Sequence, residues 1–111
     1  MANPSFIILN SKNDQFYFNL TAKNGQTILT SEQYTAKANC KNGIESVKKN
    51  SSDESNFEKL TAKNGQFYFN LKAANNQIIG TSEMYTSTGG RDNGIESVME
   101  NAPNAEIDDR T

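Results

Sequence analysis

Histidine is missing altogether from this chain, and with it the commonest general base and the usual activator of a serine or cysteine nucleophile. Ser/His/Asp, Cys/His and histidine–metal arrangements are thereby excluded. The single cysteine, Cys40, excludes a disulfide framework and thiolate metal clusters. Glycines lie singly apart from Gly89-Gly90, and no Gly-rich phosphate loop of either common type is present. No apolar run approaches the ~18 residues of a membrane span, and Met1–Ser5 has no basic leader-like start. The sequence reads as a cytoplasmic chain with no membrane partner and no cofactor or metal. Its formal charge of −2 also lacks the positive excess needed to grip phosphate backbones.

What the chain does have is itself, twice. Residues 6–50 return at 57–101 without a gap, with roughly 26 of 45 positions identical. Phe16-Tyr17-Phe18-Asn19-Leu20 returns as Phe67-Tyr68-Phe69-Asn70-Leu71. Thr30-Ser31-Glu32 with Tyr34 returns as Thr81-Ser82-Glu83 with Tyr85, and Asn42-Gly43-Ile44-Glu45-Ser46-Val47 as Asn93-Gly94-Ile95-Glu96-Ser97-Val98. A unit of about 45 residues is too short to bury a sizeable core alone. The 111 residues are therefore read as one domain: repeats 6–50 and 57–101, a polar linker at 51–56, and a C-terminal strand and tail at 102–111. A chain that carries its own pairing is expected to be a monomer.

Each repeat reads as three strands and a helix. Phe16, Phe18 and Leu20 alternate with Tyr17, Asn19 and Thr21, the period of a half-buried strand, and the second copy does the same. Asn13-Asp14, Asn24-Gly25, Asn64-Gly65 and Asn75-Asn76 predict two-residue hairpin turns. Third strands are expected at Thr27–Ser31 and Ile78–Ser82. Helices follow, with Thr35 and Thr86 as N-caps and with Cys40, Ile44 and Val47 on one face. Gly43 and Gly94 mark close approach of the helix to the sheet or to the opposite repeat, and Gly89-Gly90 predicts a late or frayed start for the second helix. The fold class is α+β: tandem pseudo-twofold repeats of three strands, a helix and a strand, sharing one antiparallel sheet with both helices on one face.

These tandem blocks resemble the YegP-like family of small bacterial proteins, over almost the whole chain from Phe6 to about Ile107. The resemblance implies units that join in a single sheet and exchange their last strands. On that pattern Phe57–Leu60 would close the first unit while opening the second, and the Ile107 region would cross back onto the first. It brings no catalytic residues.

Candidate chemistry is thin. Glu32, Glu45, Glu83 and Glu96 recur in both copies, and a hydrolase can use two carboxylates, but a Glu at a strand end or on an outer helix face is ordinarily solvated. Ser31, Glu32 and Thr35 read as strand-to-helix connection chemistry, with Tyr34 and Tyr85 packed beneath the helix starts. The remaining candidate is the sheet face turned away from the helices. If Phe16, Phe18 and Leu20 face inward with Ile28 and Ile79, then Tyr17, Asn19, Leu29, Tyr68, Asn70 and Ile78 lie outward. Such a face suits a protein partner. Combined with Lys12, Lys48, Lys49 and Lys63, its tyrosines could instead stack the bases of a single strand.

Overall fold

Seven strands and two helices form from this pattern in a computed structural model that describes residues 3–111. Met1 and Ala2, at the start of the segment read above for a leader, lie outside the described residues. The strands are β1 (Ser5–Asn10), β2 (Phe16–Thr21), β3 (Thr27–Ser31), β4 (Phe57–Thr61), β5 (Phe67–Lys72), β6 (Ile78–Thr81) and β7 (Glu106–Asp109). Helices α1 (Lys37–Asn50) and α2 (Thr88–Asn101) follow β3 and β6. One sheet holds every strand in the order β4-β5-β6-β3-β2-β1-β7, antiparallel throughout except for β7 beside β1.

The halves join through β3 and β6, where Thr30 pairs with Thr81. These two residues are counterparts in the repeat, so the pseudo-twofold axis passes between them. Each helix bridges that joint: α1 packs on β2 and also on β5 and β6, and α2 on β5 and also on β3. Phe6, Ile8, Phe18, Leu20, Ile44 and Val47 from one half share a single buried core with Phe57, Phe69, Leu71, Ile95 and Val98 from the other. Each such side chain contributes about 1.5–3 kcal/mol on burial, and neither half holds the whole set. The edge-to-face pairs Phe6–Phe18 and Phe57–Phe69 repeat across the axis at centroid separations of 5.7 and 5.6 Å.

Four details differ from the sequence expectations. The hairpin loops have three residues rather than two: Ala22 N–H donates to Gln26 O, Gly25 N–H to Ala22 O, and only the third loop residue takes positive φ. Asp14, Gly25, Gly65 and Asn76 hold that position at 63°, 83°, 82° and 73°. This is a type I turn followed by a left-handed residue, the other common hairpin solution. The N-caps fall one residue later, at Ala36 and Ser87, and only Ser87 caps with its side chain. α2 does not start late; despite Gly89-Gly90 it matches α1 at 14 residues, its first turn held by Ser87 Oγ accepting from Gly90 N–H at 2.9 Å. Finally, β7 does cross back onto β1, but among the described residues Phe57–Thr61 pairs only with β5 and closes nothing in the first half. After α1 the chain passes through a single 3-10 turn at Glu54–Asn56 straight into β4 at the far edge.

Gly43 and Gly94 are close approaches to the sheet side of their own repeats, not to the opposite one. A Cβ on Gly43 would overlap the Tyr34 hydroxyl and lie 3.2 Å from the Phe18 ring; one on Gly94 would meet Tyr85 and Phe69 in the same way.

Candidate functional site: the open face of the sheet

Register decides which side chains the helix-free face displays. Phe6, Phe18, Leu20, Phe69 and Leu71 point into the core, so their neighbours along each strand point out. Tyr17 stands opposite Leu9 and Asn19 opposite Ile7; Tyr68 stands opposite Leu60 and Asn70 opposite Glu58. Tyr17, Asn19, Ile7, Leu9, Tyr68 and Leu60 are half-buried, while Asn70 is only 7% exposed. Across the axis run four polar side chains in line. Thr30 Oγ1 donates to Asn19 Oδ1 at 2.9 Å, Thr81 Oγ1 to Asn70 Oδ1 at 2.8 Å, and the two threonines pair directly. The face is thus a polar, hydrogen-bonded strip on the pseudo-twofold axis, flanked on each side by a tyrosine and aliphatic neighbours.

Leu29 does not belong to it. It is wholly buried, because Ile28 and Leu29 together stand opposite Leu20 before Thr27 pairs with Thr21. This β-bulge inserts one extra residue and turns both Ile28 and Leu29 into the core. The same bulge in β6 buries Ile79 and Gly80 and leaves Ile78 outward, opposite Lys72 and 39% exposed. Ile7, Leu9 and Leu60, which the sequence reading missed, complete the flanks. In Ser5–Asn10 the consecutive Ile7-Ile8-Leu9 hides the alternation, and only the pairing with β2 separates Ile8 from its neighbours.

The charged edges of this face are mostly neutralised. Lys72 Nζ sits 3.1 Å from Glu58 Oε2, and Arg110 is 2.9 Å from Asp108. Of the four lysines that a base-stacking surface would need, Lys12 and Lys63 hold matching hairpin-loop positions in the two repeats, but Lys48 and Lys49 do not join them. Lys12 lies in a shallow hollow beside Tyr17, but Lys48 lies over the Phe6 ring and Lys49 lines a cleft beside Ala73–Asn75, both on the helix side.

The remaining candidates resolve into structure. Ser31 Oγ accepts from Phe18 N–H at 2.9 Å and donates to Glu32 O at 2.7 Å, ending β3; Ser82 repeats both bonds. Tyr34 and Tyr85 bridge back to Phe16 and Phe67 through paired backbone hydrogen bonds. Burial, with smaller contributions from Cys40 and Glu32, pushes the Tyr34 hydroxyl above its ordinary pKa; burial and Glu83 do so for Tyr85. Burial likewise raises the Cys40 thiol, which disfavours the thiolate a nucleophile needs. Glu32, Glu45, Glu83 and Glu96 are all exposed. Glu32 edges a groove of about 740 Å³ between α1 and the β5–β6 hairpin, with Asn39, Asn42 and Gln77.

The domain of unknown function DUF1508 matches twice in tandem, at residues 11–58 and 62–109. The chain belongs to this YegP-like family. It is 61% identical over 101 residues to a UPF0339 protein of Shewanella oneidensis, covering 91% of this chain and 92% of that one. Two solution structures share its fold. One, of a UPF0339 protein from Shewanella oneidensis, superposes with TM-score 0.90 at 57% identity, covering 96% and 91% of the two chains. The other, of the Escherichia coli protein of unknown function YegP, superposes with TM-score 0.93 at 50% identity, covering 100% and 96%. These relatives establish the family and fold, and indicate no specific function.

Proposed function

We propose that the protein is a non-enzymatic, cytoplasmic binding module that docks a protein partner on the open face of its sheet. One observation carries this reading: both helices lie on one side, and the other presents Tyr17 and Tyr68 with Ile7, Leu9 and Leu60 around the Asn19–Thr30–Thr81–Asn70 strip. Half-buried tyrosines with aliphatic neighbours supply contact area, and a hydrogen-bonded polar centre supplies register. Paired charges at the edges, and Lys48 and Lys49 on the other side, favour a protein over a nucleic acid.

The test is capture from a native lysate by three forms: the natural chain, Tyr17→Ser/Tyr68→Ser, and Lys49→Ala as a helix-side control. A partner held by the first and third, lost with the second, and insensitive to nuclease supports the face. Equal capture by all three removes it. Recovery of nucleic acid with a steep loss between low and moderate salt would replace the protein partner with a single strand.

A further inference from the structure

The pseudo-twofold is broken at the two edges of the sheet. At one edge β7 covers β1, running parallel to it with Ile107 beside Phe6 and Asp108 beside Ile7. At the other edge β4 pairs with β5 on its inner side, and no strand among the described residues covers its outer side. Chain order is the cause. Residues 55–58 are the counterparts of 106–109, but in the first copy that stretch runs on into β4 instead of ending as a strand of its own. An edge whose twin is covered is left with its N–H and C=O groups unpaired by any strand.

A cleft of about 170 Å³ marks the position, lined by Glu54, Lys59, Asp92, Ile95 and Glu96 between β4 and α2. Charge there is inverted relative to the covered edge. On that edge Lys37 Nζ of α1 holds Asp109 Oδ2 of β7 at 3.0 Å. On α2 the position of Lys37 is Thr88 and that of Lys41 is Asp92. Lys59 and Arg91 both lie on Asp92, at 3.3 and 3.4 Å, while Glu54 and Glu96 have no ion pair among the described residues, so the slot keeps a negative balance. A strand as acidic as β7 meets like charge in such a slot, which disfavours adding the β7 of one copy to the β4 of another.

We propose that the outer edge of β4 is a docking slot for a basic extended segment of a partner protein, added as an eighth strand parallel to β4 in the way β7 adds to β1. Backbone hydrogen bonds supply the affinity, and a cation reaching Glu54 and Glu96 supplies the choice of partner. The slot uses the backbone edge of β4 and not the tyrosine pair; only Leu60 belongs to both surfaces, so the tyrosine variant tests the open face without touching the slot.

The experiment is a titration of the full-length, 15N-labelled chain with an acetylated heptapeptide of alternating valine and lysine, and with its valine–glutamate counterpart. The lysine peptide is expected to shift the amides of Phe57–Thr61, slow their hydrogen exchange, and bind at least tenfold more tightly than the glutamate peptide. Glu54→Lys/Glu96→Lys, both exposed positions, should reverse that preference, whereas Tyr17→Ser/Tyr68→Ser should leave it intact. Shifts spread over acidic surface away from β4 would overturn the proposal. So would unchanged exchange at β4 with millimolar peptide, or a preference that survives charge reversal.

Discussion

Leu29 and Gly80 hold the same position in the two repeats, and their difference follows from the axis between them. Both turn toward the core beside the β3–β6 joint, and a Cβ on Gly80 would stand 2.9 Å from Leu29 Cγ. Near a twofold axis a side chain meets its own counterpart, so two large ones overlap while one large and one absent fit. Gly80→Leu is therefore expected to cost at least the ~1–3 kcal/mol of an overpacked core, and Leu29→Gly about as much as other large-to-small core changes, ~2–5 kcal/mol. The exchange Leu29→Gly/Gly80→Leu should recover much of both losses in urea unfolding. Strictly additive losses would contradict the account. In the sequence the pair looks like drift on an outward position, because period-two alternation cannot register a bulge. The same alternation places Tyr17, Asn19, Tyr68 and Asn70 on the outer face, since β2 and β5 have no extra residue within Phe16–Leu20 or Phe67–Leu71, while Ile78 lies beyond the bulge of β6 and faces out with its partner Lys72.

Among the elements, the helices differ most in how they begin. Ser87 caps α2, while Ala36 at the same position of α1 has no side-chain oxygen to offer its orphan amides. Ser87→Ala should lower stability by about 1 kcal/mol, and Ala36→Ser should raise it by about 0.5–1 kcal/mol. Thermal or urea unfolding of the two variants checks both signs; a loss from Ala36→Ser would mean that α1 starts elsewhere. Strand and helix identities were legible because hydrophobic period and turn residues agree along the repeat. Cap positions and loop lengths were not. Thr35 and Thr86 carry a hydroxyl that can cap a helix as Ser87 does, and Asn-Gly serves a three-residue loop as well as a two-residue one.

At the scale of the whole molecule, two features make one object of two repeats: the β3–β6 joint and the return of β7 to β1. The second carries a pH dependence. Hydrogen bonds from the Thr111 hydroxyl and amide, then the Lys37 ammonium, hold Asp109 well below the usual carboxylate range. A carboxylate stabilised in the folded state contributes fully above its ordinary pKa of about 3.9 and less as pH falls toward the folded value. The Thr111 bonds are local to the tail, and only the Lys37 pair, 38% and 36% exposed, reaches another element. Acidification below that range should therefore loosen the backbone signals of Asp109–Thr111 before those of β2 and β5, and Asp109→Asn should remove that step.

The tandem repeat made the pairing of halves legible, but not which edge would be covered, since both copies end in sequence that suits an extended segment. The central claim, that the halves share one core across the joint, is tested most directly by residue-resolved native-state hydrogen exchange in graded denaturant. The account predicts that the slowest amides of β2 and β5 converge on one opening free energy with one denaturant slope, as for a single cooperative unit. Two distinct free energies, each with a smaller slope, would show that the repeats open independently and would contradict it.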